Sequence, residues 1–423
     1  MTATSSATFT NETTAVPPES TGGWPLVWAL AIAQLVSWGS IYYGFSLFVV
    51  PMESELGWSR TAVNGALSLG LLTSGICAYS VGAWIDRHGG RMLMTVGSAL
   101  GAALLVLWSR MDSLVELYAV WFGLGLAMAA TLYEPVFAVL TRAFPRSYRT
   151  RITVLTLLGG LASTVFIPLT QVFINELGWR DALVALALCN LVICLPIHAL
   201  ALRDGNGPGG IGRALSAEDR RIADDAVRRS FRHPVFWGLA VCFAAWNATF
   251  SALTFHIIPL LTERAVPMTI IVGAIAVIGP AQVAGRIALL AFGRHLPTGT
   301  VGRIVVLAFP ASVLLLIAFP TSIAALFAFA VLYGSGNGIM TIIRGTAVPD
   351  LMWREGYGAI NGALTFPSNV ARAIAPFGAA LVWGVREDYG LVLWSITAGA
   401  LIAAVGFWYA AASAAGNIER GHS

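Results

Sequence analysis

The sequence predicts an all-α membrane protein of twelve transmembrane helices in two pseudo-symmetric six-helix bundles, on three observations. Of its 423 residues, 57% are apolar and only 11% are charged, whereas soluble domains carry about 25% charge. Apolar runs of the roughly 20 residues that cross a bilayer core recur along the whole chain. They fall six before and six after one long polar stretch, Arg203 to Arg232. This composition excludes a water-soluble enzyme and a nucleic-acid binder.

Residues 1–22 are rich in Ser, Thr and Pro and lack Arg. Without a basic segment ahead of an apolar core they read as a disordered tail and not as a signal peptide. Spans are expected at 24–50, 60–85, 91–109, 115–141, 151–174, 180–202, 234–260, 267–292, 302–319, 321–346, 356–384 and 390–414. The first bundle is then 23–202, the linker 203–232, the second bundle 233–414 and the closing tail 415–423. The linker's mixed charges, among them Glu218, Asp219, Arg220, Arg221, Asp224, Asp225, Arg228 and Arg229, fit a solvated amphipathic helix.

All 25 basic residues are Arg. With both termini cytoplasmic, seventeen fall in inner loops and five outside (Arg60, Arg110, Arg180, Arg264, Arg386), as the positive-inside rule requires. Shifting the order by one span would invert that asymmetry. The four Cys (Cys77, Cys189, Cys194, Cys242) sit in apolar stretches without metal-ligand spacing, so they read as small core residues; no metal or cofactor site is expected.

Internal repetition supports two related halves. ELGWSR (55–60) precedes span 2 and ELGWRD (176–181) precedes span 6. FGLGLAM (122–128) in span 4 parallels YGSGNGI (333–339) in span 10, and Pro168 in span 5 corresponds to Pro376 in span 11. Such repeats mark transporters that hold substrate between halves near the midplane.

Ionisable groups inside a span are costly and point to function. Four qualify: Glu134 in span 4, Arg286 in span 8, Arg344 in span 10 and Arg372 in span 11. Three cations against one anion favour an anionic ligand, and the planar guanidinium fork suits a carboxylate. Two readings stay open for each. Arg372 is either a substrate contact or a buried partner of Glu134; Arg286 is either a ligand, with Gln282 one turn before it, or a packing residue. Glu134 and Arg344 are expected to meet across the pseudo-twofold as an inner gate, with Glu134 as proton acceptor. Alternatively Arg344 snorkels to the surface and Glu134 pairs with Arg142. Polar and aromatic candidates for the cavity are Gln34, Trp38, Tyr42, Tyr43, Asn64, Asn247, His256, Asn337, Asn361 and Asn369, each of which could equally be a helix–helix hydrogen bond.

The loop between spans 2 and 3 reads GAWIDRHGGR, with Gly82, Asp86, Arg87, Gly89, Gly90 and Arg91. Gly82 permits close helix contact, Asp86 can cap or pair, and Gly89 and Gly90 allow a turn at positive φ. It resembles the G-x3-D-R-x-G-R loop of the major facilitator superfamily, with one extra residue before the final Arg. The resemblance implies a fold covering Trp24 to about Ala414, and helix-latching roles for Asp86 and Arg91. The stretch from Tyr42 to Val63 is similar to bacterial members of the monocarboxylate and oxalate:formate exchanger group. GGW at 22–24 resembles that group's opening motif, but Thr21 stands where an acidic residue is usual. The likeness implies that Arg286 and Arg372 occupy the cation-bearing helices of that group, while Gln282 replaces the Asp of monocarboxylate transporters and puts proton coupling through span 8 in doubt.

The expected function is secondary active transport of a small organic anion, a carboxylate, by alternating access, driven by proton symport or anion exchange. Substrate contacts are assigned to Arg372, Arg286, Gln282, Tyr42 and Asn361. The expected partners are that anion, protons or a counter-anion, and the lipid bilayer, for a monomer in a bacterial-type inner membrane. A proton-coupled drug exporter shares the fold, but span 1 lacks an acid and span 4 lacks a mid-span Arg. Enzyme and ATPase signatures such as HExxH, GxSxG and the P-loop do not occur.

Overall fold

The structure, a computed structural model, describes residues 23–202, 217–293 and 295–420. The tail expected over 1–22, the start of the linker (203–216) and Arg294 lie outside the described residues. Every described element is helical. Helices α1 (Trp24–Leu56), α2 (Thr61–His88), α3 (Arg91–Trp108), α4 (Leu114–Ala143), α5 (Tyr148–Leu177) and α6 (Trp179–Ala201) precede the linker. A linker helix, Ala217–Ser230, follows. Then come α7 (Pro234–Glu263), α8 (Met268–Phe292), α9 (Thr298–Ala318), α10 (Ile323–Leu351), α11 (Tyr357–Arg386) and α12 (Tyr389–Arg420).

Among the described residues eleven helices are long and apolar enough to cross a membrane. The remaining long helix, α11, has 30 residues but a polar stripe: Asn361, Thr365, Ser368, Asn369 and Arg372 recur at the spacing of one helical face. Several ends differ from expectation. The first span continues to Leu56 and stops at Gly57, whose φ of 69° ends the helix in the left-handed region. Pro297 starts α9 four residues early, and α12 runs to Arg420, through the expected tail.

Several helices are irregular, and at three prolines the freed carbonyl has a side-chain partner. Within the bilayer no water can take an unpaired backbone group, so a neighbouring helix must. Pro135 has no N–H for the Thr131 carbonyl, and α4 breaks at Leu132. Gln34 Nε2 of α1 donates to that carbonyl at 2.6 Å. Gln34 is fully buried there, which corrects its expected place in the cavity. In the same way Pro349 frees Gly345 O, taken by Tyr357 Oη at 2.8 Å, and Pro376 frees Arg372 O, taken by Ser251 Oγ at 2.7 Å. Helix α1 also widens into a π turn at Trp38–Tyr43, facing another in α6 at Asn190–Cys194. Asn190 donates to Ser40 between them.

Packing follows from small residues. Helices α2 and α11 form the most extensive contact in the molecule; a Cβ on Gly82 would lie 1.8 Å from Gly358 O, so only glycine allows the approach. One hydrophobic core is drawn wholly from residues between Ala33 and Cys194, and a second joins residues from both sides of the linker. The two ELGW repeats each end a helix at a glycine of positive φ, Gly57 and Gly178, but with different ψ, 16° and 161°. They also meet: Glu55 of the first accepts from Trp179 Nε1 (2.5 Å) and Arg180 Nε (3.0 Å) of the second.

Replacing Gln34 by Leu leaves the Thr131 carbonyl buried and unbonded, which costs about 1–3 kcal/mol. The expected result is a lower Tm for Gln34→Leu in detergent-solubilised protein. An unchanged Tm would mean that the α4 break does not depend on this bond.

A central cavity lined by three arginines

Helices α1, α2, α4, α5, α7, α8, α10 and α11 converge on a cavity of about 160 Å3. Of the expected substrate residues, Arg372, Arg286 and Gln282 line it; so do Glu134 and Arg344, and the candidates Trp38, Tyr43, Asn247, Asn337 and Asn369. Tyr42 and Asn361 do not. Each instead holds a cavity arginine, Tyr42 accepting from Arg372 Nη2 and Asn361 Oδ1 from Arg344 Nη1. His256 binds Pro376 O (2.9 Å) and the Tyr389 hydroxyl (3.2 Å) away from the cavity, and Asn64 is not among the lining residues.

The three arginines differ in how far the protein satisfies them. Arg344 is buried. Besides Asn361 Oδ1, it donates through Nη2 to Thr365 Oγ1 at 2.6 Å and Asn361 O at 3.3 Å. Its guanidinium lies 4.8 Å from the Phe243 ring centre, so it does not snorkel to the surface. Arg286, 2% exposed, donates from Nε to Gly338 O of α10 (3.2 Å) and from Nη1 to Thr156 O of α5 (2.9 Å). It thereby ties α8 and α10 to α5. Gly160 makes room for it, since a Cβ there would fall 1.5 Å from Arg286 Nη1.

Arg372 is different. Its guanidinium packs over the Tyr42 ring at 4.8 Å and the Phe250 ring at 5.8 Å. Its only hydrogen bond to a described residue is the one from Nη2 to Tyr42, which leaves Nε and Nη1 as available donors. Glu134 shares the cavity but forms no hydrogen bond or ion pair with a described residue. The expected pairings of Glu134 with Arg344, Arg142 or Arg372 are thus not made in this conformation. Arg142 donates to Ile85 O (3.1 Å) and Asp86 O (3.0 Å).

On the linker side of the cavity, Asp86 reaches across to α11. Its carboxylate accepts from Gly358 N (3.0 Å) and Ala359 N (2.9 Å), first-turn amides that have no partner inside their own helix. The negative charge also complements the positive end of the α11 dipole. Arg87 pairs with Asp224 of the linker helix at 2.7 Å, whereas Arg91 donates to Ala199 O of α6 at 2.9 Å and stays within the first part of the chain. Gly89 has φ 79°, as the turn requires, while Gly90 has an ordinary helical φ of −86°. Tyr148 to Asp350, and Arg149 Nη1 to Leu296 O (2.5 Å), close the same side. Sequence reading missed Tyr133, Trp246 and Phe250 in the cavity wall, where each looked like one more apolar residue of a span.

A bundle of membrane-length helices around a central cavity lined by charged and aromatic side chains fits a multi-pass membrane transporter. The model of the Major Facilitator Superfamily matches residues 30–376, and the chain belongs to that superfamily. It is 27% identical to monocarboxylate transporter 13 of Bos taurus, over 89% of this chain and 85% of that one. It is 20% identical to the uncharacterized MFS-type transporter YcxA of Bacillus subtilis (strain 168), over 85% of this chain and 88% of that one. Among solved structures, the fucose:proton symporter FucP of E. coli (N162A) superimposes with a TM-score of 0.69 at 14% identity, over 92% of this chain and 98% of that one. Membership implies a small-molecule substrate and a membrane environment.

Substituting Asp86 by Ala removes the cap from the start of α11. Faster hydrogen exchange at the Gly358 and Ala359 amides is expected, with a loss of about 0.5–2 kcal/mol as for other helix caps. Unaltered exchange at those two amides would show that the carboxylate does not hold this end shut.

Proposed function

We propose that this transporter moves a small organic anion, a carboxylate, across a bacterial-type plasma membrane. It does so as a monomer of twelve spans, α11 being the one that composition alone does not mark. The bundles 23–202 and 233–414 rock about the cavity, with both termini and the linker cytoplasmic. One observation carries the proposal: Arg372 lines the cavity, is stacked on two rings, and keeps two nitrogen donors free. A carboxylate would take one of them together with the second hydrogen of Nη2, through two parallel charge-assisted bonds. The net charge of the cavity's Arg286, Arg344, Arg372 and Glu134 is positive, so a cation would be repelled. The likeness to monocarboxylate transporter 13 supports this reading. The cavity volume, about 160 Å3, is below the roughly 300–1,000 Å3 of drug-sized sites, which argues against the drug-exporter alternative.

Arg286 serves as a second anion contact through its remaining nitrogen and as a tie between the halves, with Gln282 beside it on α8. The latch Gly82, Asp86, Arg87, Gly90 and Arg91 steadies the closed cytoplasmic side. Transport is driven by proton symport or by exchange for a counter-anion. Glu134 is the proton acceptor, because it is the carboxylate that lines the cavity and it makes no hydrogen bond or ion pair with a described residue. Glu134 and Arg344 line the same cavity and form the inner gate of this proposal; in this conformation Arg344 is held instead by Asn361 and Thr365.

Flux in proteoliposomes tests both roles. Arg372→Gln should lower carboxylate uptake on the order of tenfold to a hundredfold, the worth of one or two charged hydrogen bonds. Retained uptake would put the anion elsewhere. Glu134→Gln should abolish accumulation driven by a pH gradient while leaving carboxylate counterflow intact. A pH dependence equal to that of the wild type would remove Glu134 from the proton path.

A further inference from the structure

We infer that the transported anion is an aryl carboxylate, its ring held in a cage of aromatic side chains while its carboxylate meets Arg372. This rests on the carboxylate reading of the cavity and narrows it.

The cage is built twice. Helix α1 carries Trp38 and Tyr42, and α7, the first helix after the linker, carries Trp246 and Phe250. Both pairs have the four-residue spacing that stacks side chains on one helix face. Tyr42 and Phe250 are the two rings packed on Arg372, so the carboxylate-binding group is itself clamped by one ring from each pair. Trp38 and Trp246, one turn away, face the same cavity. Trp246 Nε1 is fixed by Asn337 Oδ1 at 2.9 Å, which sets the plane of the indole.

The backbone of α1 is distorted in a way that adds a ring to this wall. In an α-helix, residues five apart point about 140° away from one another, so Trp38 and Tyr43 could not both line one cavity. The π turn at Trp38–Tyr43 closes its hydrogen bonds five residues on. It brings Tyr43 to 6.0 Å from Trp38 while Tyr42 stays at 5.4 Å. Tyr133 completes the wall from α4, 5.0 Å from Trp38. A π turn is rare and frequently marks a functional site; here the residues it gathers are three aromatic ones. Ring faces and edges of this kind favour another ring, in offset or edge-to-face contact, over an aliphatic group of equal bulk. A two- or three-carbon acid would engage Arg372 and leave the cage unused.

Equilibrium binding to the purified full-length protein in detergent separates the two parts of the inference. The probes are benzoate, cyclohexanecarboxylate, which has the charge and bulk without the π system, and benzamide, which has the ring without the charge. Benzoate should bind about tenfold more tightly than cyclohexanecarboxylate, as one or two ring contacts allow, and benzamide should bind at least tenfold more weakly than benzoate. Trp38→Leu should bring the ratio of the two acids close to one. The comparison in wild-type protein stands even if that variant does not fold. Equal binding of the two acids would overturn the aryl inference and leave the anion reading in place. Benzamide binding as well as benzoate would overturn both. If none of the three binds but propionate does, the cage is wrong and the anion site right; if propionate also fails, both are wrong.

Discussion

A guanidinium in the middle of an apolar helix bundle must be given acceptors, and the site follows from how this chain supplies them. Arg344 is enclosed by Asn361 and Thr365, and Arg286 is bound to two main-chain carbonyls from opposite parts of the chain. Arg372 has one hydroxyl and two ring faces. The protein's own groups thus engage two nitrogens of the first, two of the second and only one of the third. That difference leaves Arg372 with donors that no described residue takes, while the other two arginines tie helices together. A half-buried guanidinium with unused donors is stabilised when an anion arrives, and in the proposed cycle that gain drives the halves to close around it.

The same absence of water governs the backbone. Pro135, Pro349 and Pro376 each remove an amide, and in each case the freed carbonyl is taken by a side chain: Gln34, Tyr357 and Ser251 respectively. These turns lie beside the ionisable residues of the cavity. Pro135 follows Glu134, Pro349 is five residues past Arg344, and Pro376 is four past Arg372. A bond from a side chain can be exchanged at lower cost than one inside the helical ladder. The helices thus lose ladder bonds close to the charged groups of the cavity. The linker side has the opposite character: Asp86 on two amides of α11, and the glycine contact at Gly82, make a tight and specific closure.

Much of this was legible in the sequence, for physical reasons. Apolar runs of membrane length gave the order of the helices, because a bilayer leaves few alternatives to that pattern. The cavity's charged set, Glu134, Arg286, Arg344 and Arg372, was legible because charges in such runs are so costly. What could not be read were relations between distant residues. The partner of Asp86 lies 272 residues along the chain, so its capping role is invisible locally. Gln34 looked like a cavity residue because nothing in α1 reveals the broken turn of α4 that it serves. Arg344 resembled a snorkelling residue because only packing decides whether its head finds Asn361 or the surface. Of the aromatic wall, Trp38, Tyr42 and Tyr43 were candidates from the sequence, whereas Tyr133, Trp246 and Phe250 were missed because each is an ordinary span residue until packing brings it to the cavity.

The central claim is that Arg372 holds the transported anion. The most direct measurement is the shift in thermal stability of purified protein, wild type beside Arg372→Gln, across monocarboxylates, dicarboxylates, inorganic oxyanions and lipophilic cations. Stabilisation by a carboxylate that disappears in the variant is the expected result. Stabilisation by lipophilic cations, equal in both proteins, would contradict the claim and favour an exporter of cationic drugs.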